Sequence, residues 1–214
     1  MNLRESWIGT DESGKGDYFG PLVIAGVCLN QKIGEELIAL GIKDSKKMAD
    51  KKILAMGPLI RQRALSAEVV VIGPEKYNEL YQKIKNLNAL LAWGHSRVIE
   101  NILSKIECHT ALTDQFGDKT LVEKALMSRG KEITLEQRPR AEEDIAVAAA
   151  SVLARGEFLM RLEVLSKKEG TLLPRGASAR VVQAAVAFFK KQGMEGLNRV
   201  AKLHFKTTQA VLGK

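Results

Sequence analysis

Apolar positions along this chain fall into two kinds of run. Short continuous runs bounded by turn residues read as strands, and longer stretches with apolar residues three or four apart read as helices. Residues 6–11 (SWIGTD) predict a strand that enters a polar turn over Glu12–Asp17. Leu22–Leu29 (LVIAGVCL) predicts a buried strand antiparallel to it. Lys32–Leu40 and Lys46–Arg63 carry helical periodicity. Asp44 or Ser45 is placed to cap the second of these, and Gly57-Pro58 to kink or divide it. Leu65–Ile72 predicts a third strand, Glu75–Tyr81 a short helix, and Asn88–Lys105 a long amphipathic helix with Leu90, Leu91, Val98, Ile99 and Ile102 on its apolar side. Thr110–Thr113 predicts a fourth strand, Leu121–Met127 a helix and Glu132–Leu135 a fifth strand. Asp144 to about Lys168 is helical, and its Ala146–Ala150 core is small enough for a neighbouring backbone to approach. Ser178–Lys191 is a further helix, and residues after Met194 form a short helical tail. This order predicts an α/β fold, a mixed five-stranded sheet with helices on both faces. No linker or repeat interrupts it, so one domain over residues 1–214 is expected, with a helical basic segment at 161–214 appended.

Composition narrows the class. Hydrophobic residues at 45% and charged residues at 27% suffice for a sizeable core and argue against disorder. No stretch approaches the roughly 18 consecutive apolar residues of a membrane span. The opening MNLRESWIGTDESG lacks the apolar core of a signal peptide. Cys28 and Cys108 have no disulfide-framework or metal-type spacing and read as buried thiols of a reducing compartment. A cytoplasmic monomer without membrane partners is expected. Charge matters through its placement: residues 161–214 hold eleven Lys and Arg against three Glu, which accounts for the whole net charge of +8. A solvated helical surface explains this, and so does a flank facing a polyanion such as nucleic acid.

The candidate chemistry is acidic. Asp11 and Glu12 stand at the end of the first strand; in regular β geometry they point to opposite faces, so they converge only if the strand ends or kinks there. Asp114 ends the fourth strand in the same way. Glu142-Glu143-Asp144 stands at the mouth of the Ala-rich helix, where capping alone also accounts for acids. Three acidic points at the mouths of elements can gather at one end of a sheet, and such a cluster repels itself unless divalent cations neutralise it. Oxygen donors without Cys or paired His select Mg²⁺ or Mn²⁺ over zinc. Four carboxylates holding two such ions suit in-line phosphoryl chemistry, which points to a metal-dependent nuclease. Gly9-Thr10-Asp11-Glu12-Ser13-Gly14-Lys15 matches the first seven positions of a phosphate-binding loop, but Gly16 stands where Ser or Thr is needed, which excludes nucleotide hydrolysis. His95 reads as a structural residue, His109 as a surface one, and His204 as either a packing or a phosphate-contacting residue.

Gly9 to Leu22 (GTDESGKGDYFGPL) resembles the opening motif of the type 2 ribonucleases H, specifically the ribonuclease HIII branch. Lys43-Asp44-Ser45-Lys46-Lys47, Ala92-Trp93-Gly94-His95, Thr113-Asp114-Gln115-Phe116, Val147-Ala148-Ala149-Ala150-Ser151 and Ala201-Lys202-Leu203-His204-Phe205 continue the likeness in order. The resemblance implies a ribonuclease H fold and hydrolysis of the RNA strand of RNA–DNA hybrids, leaving 5′-phosphate and 3′-hydroxyl ends. It implies two Mg²⁺ or Mn²⁺ ions held by Asp11, Glu12, Asp114 and Glu142, with Glu143 the alternative fourth ligand. It makes Gly14, Lys15 and Gly16 the stretch whose backbone reads ribose 2′-hydroxyls. Lys43, Ser45, Lys46 and Ser151 are its further substrate contacts. The family's usual N-terminal substrate-binding domain is not expected in these residues, since only Met1 to Glu5 precede the first strand; the sequence reads as a natural short form or as a catalytic fragment, and affinity is then expected to lean on the basic C-terminal segment.

Overall fold

The computed structural model describes residues 6–114 and 119–213; Gln115 and Phe116 of the second acidic motif lie outside the described residues. The strands are β1 (Trp7–Ser13), β2 (Leu22–Leu29), β3 (Ser66–Ile72), β4 (Thr110–Asp114) and β5 (Thr134–Arg138). They form one mixed sheet in the order β3-β2-β1-β4-β5. The helices are α1 (Gln31–Ala39), α2 (Asp50–Arg63), α3 (Pro74–Ile84), α4 (Leu87–Leu103), α5 (Lys119–Ala125), α6 (Ile145–Lys168), α7 (Ala179–Val200) and α8 (Lys206–Val211). Among the described residues no helix is long and apolar enough to cross a membrane.

Every residue of β2 is buried, as its unbroken apolar run requires. β1 lies parallel to β4 with Ile8↔Ala111, Gly9↔Leu112 and Thr10↔Thr113 in register. β4 in turn lies parallel to β5, from Thr110↔Thr134 to Asp114↔Arg138. Four expectations need correction. β1 continues through Glu12 to Ser13, because backbone pairing carries a strand past the point where its side chains turn polar. The segment Lys46–Arg63 is not one helix: Asp44 caps a separate 3₁₀ turn, Ser45–Lys47, and extended Met48 and Ala49 part it from α2. α2 itself runs undivided through Pro58, which removes one N–H donor without ending the helix. β5 lies two to three residues further on than its apolar residues suggest, since only Leu135 of it is buried and its place is set by pairing to β4. At the C-terminal end α7 continues to Val200, interrupted at Gly193, whose φ of 63° lies in the left-handed region.

The chain falls into two compact units. One comprises residues up to Glu12, Ile24–Val70 and Asn86–Gly156. Its sheet packs on α6 with no space between backbones: a Cβ at Gly9 would stand 2.2 Å from the Val147 nitrogen and 2.3 Å from the Ala146 carbonyl carbon. The small residues of Ala146–Ala150 permit this approach, as the sequence predicts. The other unit comprises Ser13–Val23, Val71–Lys85 and Glu157–Lys214. Within it the buried Asn78 on α3 donates to the Ala201 carbonyl at 2.9 Å and accepts from the Leu203 N–H at 2.9 Å, tying α3 to the end of α7. His204 stacks on Tyr81 with ring centroids 4.2 Å apart, so packing is its role in the fold.

Candidate metal centre

The alternation of β1 distributes its side chains between two helices. Thr10 and Glu12 face α4: His95 bonds Thr10 Oγ1 at 2.8 Å and Glu12 Oε2 at 3.3 Å. Gly9 and Asp11 face α6, where the Asp11 carboxylate accepts from Ser151. Asp11 Oδ1 also accepts from the Glu12 backbone N–H at 2.8 Å. Ser151 is buried, and its Oγ lies 2.7 Å from Ser45 Oγ, which binds the capped turn over Ser45–Lys47 to α6. Asp11, Ser151, Ser45 and the nearby charge of Lys46 are thus brought together.

Burial, and then the negative charge of Glu12, push the Asp11 carboxyl up to about 7, against the hydrogen bonds from Glu12 and Ser151 and the charge of Lys46. The folded metal-free protein therefore keeps a proton on Asp11 that an unfolded aspartate releases near its ordinary 3.8. Between those values the folded state binds more protons, so this residue's contribution to stability falls as pH rises. Thermal unfolding in chelator should show Asp11→Asn close to the native protein at about pH 3 and several degrees more stable at about pH 8. Equal melting temperatures at both pH values would remove the argument that this carboxylate is electrostatically uncompensated.

Asp114 arrives beside Asp11. The Thr10↔Thr113 pair joins the two parallel strands in register, and Asp11 and Asp114 each follow it by one residue. Asp114 Oδ1 accepts from the Ala141 N–H at 3.4 Å, which brings the 3₁₀ turn Ala141–Glu143 up to it. Glu142 is half-buried and Glu143 exposed. Asp144 is otherwise engaged: its Oδ1 accepts from the Ala146 N–H at 2.8 Å and from Trp7 Nε1 at 3.0 Å, capping α6 and fastening it to β1. Next to these acids lies a cleft of about 530 Å³ lined by Lys43, Lys47, Arg138, Glu142 and Glu143 among others. Among the described residues no three Asp, Glu, His or Cys side chains already stand in metal-binding geometry. The register sets Asp11 and Asp114 on neighbouring strands and the Ala141–Glu143 turn meets Asp114, while Glu12 leaves β1 on its other face.

Gly14–Gly16 belongs to the second unit. Gly14 has a φ of 87°, and a Cβ on it would lie 2.2 Å from the Pro21 carbonyl oxygen, so the turn itself demands glycine there. Gly16 is different: it is exposed, and a Cβ would meet nothing within 4 Å. The following turn is held from below by Lys202, whose Nζ donates to the carbonyls of Asp17 and Gly20, both at 2.7 Å. Asp17 Oδ1 accepts from the Gly176 N–H at 2.7 Å. Burial pushes Lys202 down to about 7, with the charge of Asp17 opposing. Lys202 therefore leaves the polyanion-facing set to which its sequence position assigns it. Arg161, Lys167 and Arg199 have acidic neighbours in Glu157, Glu163 and Glu169, whereas Arg180, Lys190 and Lys191 line the exposed side of α7.

His95 is buried and hydrogen-bonded, as a structural residue should be, and it also touches Glu12, a contact the sequence does not announce directly. The available signal is the matched parity of Thr10 and Thr113 on neighbouring strands, which makes a polar spot on an otherwise apolar face. A family model described as ribonuclease HII matches residues 8–208. The ribonuclease HIII of Protochlamydia amoebophila (strain UWE25) is 48% identical over 207 residues, covering 97% of this chain and 68% of that protein. That of Chlamydia pneumoniae is 45% identical over 204 residues, covering 94% and 68%. Among solved structures, Bst-RNase HIII in complex with Mn²⁺ matches with a TM-score of 0.90 at 33% identity, over 99% of this chain and 71% of that one.

Proposed function

This chain belongs to the ribonuclease HII family, and from that premise we propose that it is a metal-dependent endoribonuclease that cuts the RNA strand of RNA–DNA hybrids. The observation that carries the reading is the delivery of Asp11 and Asp114 by adjacent parallel strands, one residue past the Thr10↔Thr113 pair, with the Ala141–Glu143 turn at Asp114 and Glu12 next in the chain on the other face of β1. The donor set fits hard divalent cations: it is all oxygen, and Asp11 is a crowded carboxylate whose charge a cation would compensate. Asp11, Glu12, Asp114 and Glu142 would hold two ions; the partial burial of Glu142 supports it over exposed Glu143. The Mn²⁺ complex of the related Bst enzyme supports the choice of ion class. When bound, the ions supply a nucleophile at neutral pH and Lewis-acid stabilisation of charge at the scissile phosphate.

The chain's own residues do the rest. Ser151 and the Glu12 N–H hold the Asp11 carboxylate in place. The Ser45–Ser151 bond fixes the turn that presents Lys43, Ser45 and Lys46 to a substrate strand. Gly14-Lys15-Gly16 presents backbone to the ribose, and the open space at Gly16 supports a glycine kept for an approaching ligand. The exposed cations of α7 suit the phosphates of the duplex. In the hydrolysis, water adds across the bond between phosphorus and the 3′ oxygen. Its oxygen stays on the 5′-phosphate and one of its protons passes to the 3′ oxygen.

A single comparison tests the proposal: an RNA–DNA hybrid, the same sequence as all-DNA duplex, and each with Mg²⁺, Mn²⁺ or chelator. Cleavage of the RNA strand alone, lost in chelator, with products that a 5′-phosphate-dependent exonuclease degrades, is expected. Cutting of the all-DNA duplex would point to a nuclease indifferent to the 2′-hydroxyl, and hybrid binding without cutting at any ion concentration to an inactive binding module. Either result removes the proposal.

A further inference from the structure

Glu12 leaves β1 on the face away from Asp11 and needs its own support there. His95 supplies it from α4. The ring has no exposed surface and bridges two kinds of partner. Its Nε2 lies 3.3 Å from Glu12 Oε2. Its Nδ1 lies 2.8 Å from Thr10 Oγ1 and 3.4 Å from Thr113 Oγ1. Thr10 and Thr113 are both fully buried and are paired across β1 and β4, so the register itself builds the seat for the ring. A carboxylate only accepts, so Nε2 carries the proton toward Glu12. In the neutral ring Nδ1 is then the acceptor for the Thr10 hydroxyl, and in the charged ring Nδ1–H donates to the Thr10 oxygen; either way Thr10 fixes the ring. The helix that carries the ring has no freedom to drift: a Cβ at Gly94 would stand 2.7 Å from Ile24 Cδ1, and one at Gly26 2.3 Å from Val98 Cγ1, so α4 is pressed onto β2 at both points.

We propose that His95 is a positioning residue of the metal centre, which holds the Glu12 carboxylate in its ligating orientation through Nε2–H while Thr10 and Thr113 fix the ring. The inference rests on the reading of Glu12 as a ligand of a divalent ion. Residues that orient metal-ligating carboxylates in this way are worth about 10–100-fold in metal affinity or activity. His95 does not touch the substrate, and its loss acts on the ion and the chemical step, not on capture of the hybrid.

The test measures Mn²⁺ binding by titration calorimetry, together with kcat and KM on a hybrid, in the native protein, His95→Leu, His95→Gln and Thr10→Val. His95→Leu is expected to weaken Mn²⁺ binding and lower kcat at fixed ion concentration by about 10-fold or more, with KM for the hybrid within about twofold. His95→Gln restores an N–H near the position of Nε2 and should recover much of both losses. Thr10→Val removes the 2.8 Å bond without a cavity and should move Mn²⁺ affinity in the same direction by a smaller factor, which keeps the test alive should His95→Leu fail to fold. Mn²⁺ affinity and kcat unchanged in the folded His95 variants, or in Thr10→Val where they do not fold, overturn this inference alone. A native protein that binds no Mn²⁺ overturns the metal reading of the site and this inference with it.

Discussion

Asp114→Asn is expected to give a folded protein that binds the hybrid and hardly cuts it. Asparagine keeps the shape and one oxygen of the side chain, so the long bond from the Ala141 N–H and the β4–β5 pairing both survive. What it removes is a unit of negative charge at the point where β1 and β4 deliver two carboxylates side by side. Charge stabilisation by a metal ion at a phosphoryl centre amounts to several kcal/mol, and each 1.36 kcal/mol is tenfold in rate, so the loss is about 10³-fold or more. Single-turnover cleavage with enzyme in excess reads the chemical step directly, and circular dichroism confirms the fold. Activity within about tenfold of the native protein would mean that Asp114 does not hold the ion.

The second large effect is on stability and falls on Gly9. A methyl group there would be driven into main-chain atoms of Ala146 and Val147 at 2.2–2.3 Å, and main chain on both sides leaves no flexible side chain to yield. Overpacking at such a site lies at the upper end of its usual range, about 3 kcal/mol, which for a chain of this size lowers the melting temperature by roughly 6–12 °C. Gly9→Ala should therefore melt far earlier than the native protein in a thermal scan. The same displacement pushes β1 away from α6 and so parts Asp11 from Ser151, making activity fall even at temperatures where the variant is folded. A melting temperature within about 2 °C of native would show that the strand and helix can separate at little cost.

How far the molecule is legible in its sequence depends on where the deciding partner lies. β2 is legible because eight buried apolar residues need no partner to declare themselves. Asp114 is legible as the last residue of β4 and Glu142 as part of the turn that precedes α6, whereas Asp11 and Glu12 lie within β1 and not at its end. The end of β1 is not legible, since Glu12 and Ser13 are held in the sheet by main-chain pairing while their side chains read as turn. β5 has the same character: one buried Leu135 among polar residues marks an edge strand whose place is decided by β4. Lys202 counts as surface charge in any tally of the sequence. Only the fold shows it enclosed, facing carbonyls 182 and 185 residues away along the chain. His95 is likewise read as a structural residue until Thr10, 85 residues earlier, and Glu12 are seen beside it.

Since β1 turns Asp11 toward one helix and Glu12 toward another, adjacent donors in the chain answer to separate surroundings. A change on the buried side of α4 reaches the Glu12 carboxylate through His95, and a change around Ser151 reaches that of Asp11. On the proposed reading, preference between a small, octahedral ion and a larger, more tolerant one can be tuned from either side of β1 without replacing either acid.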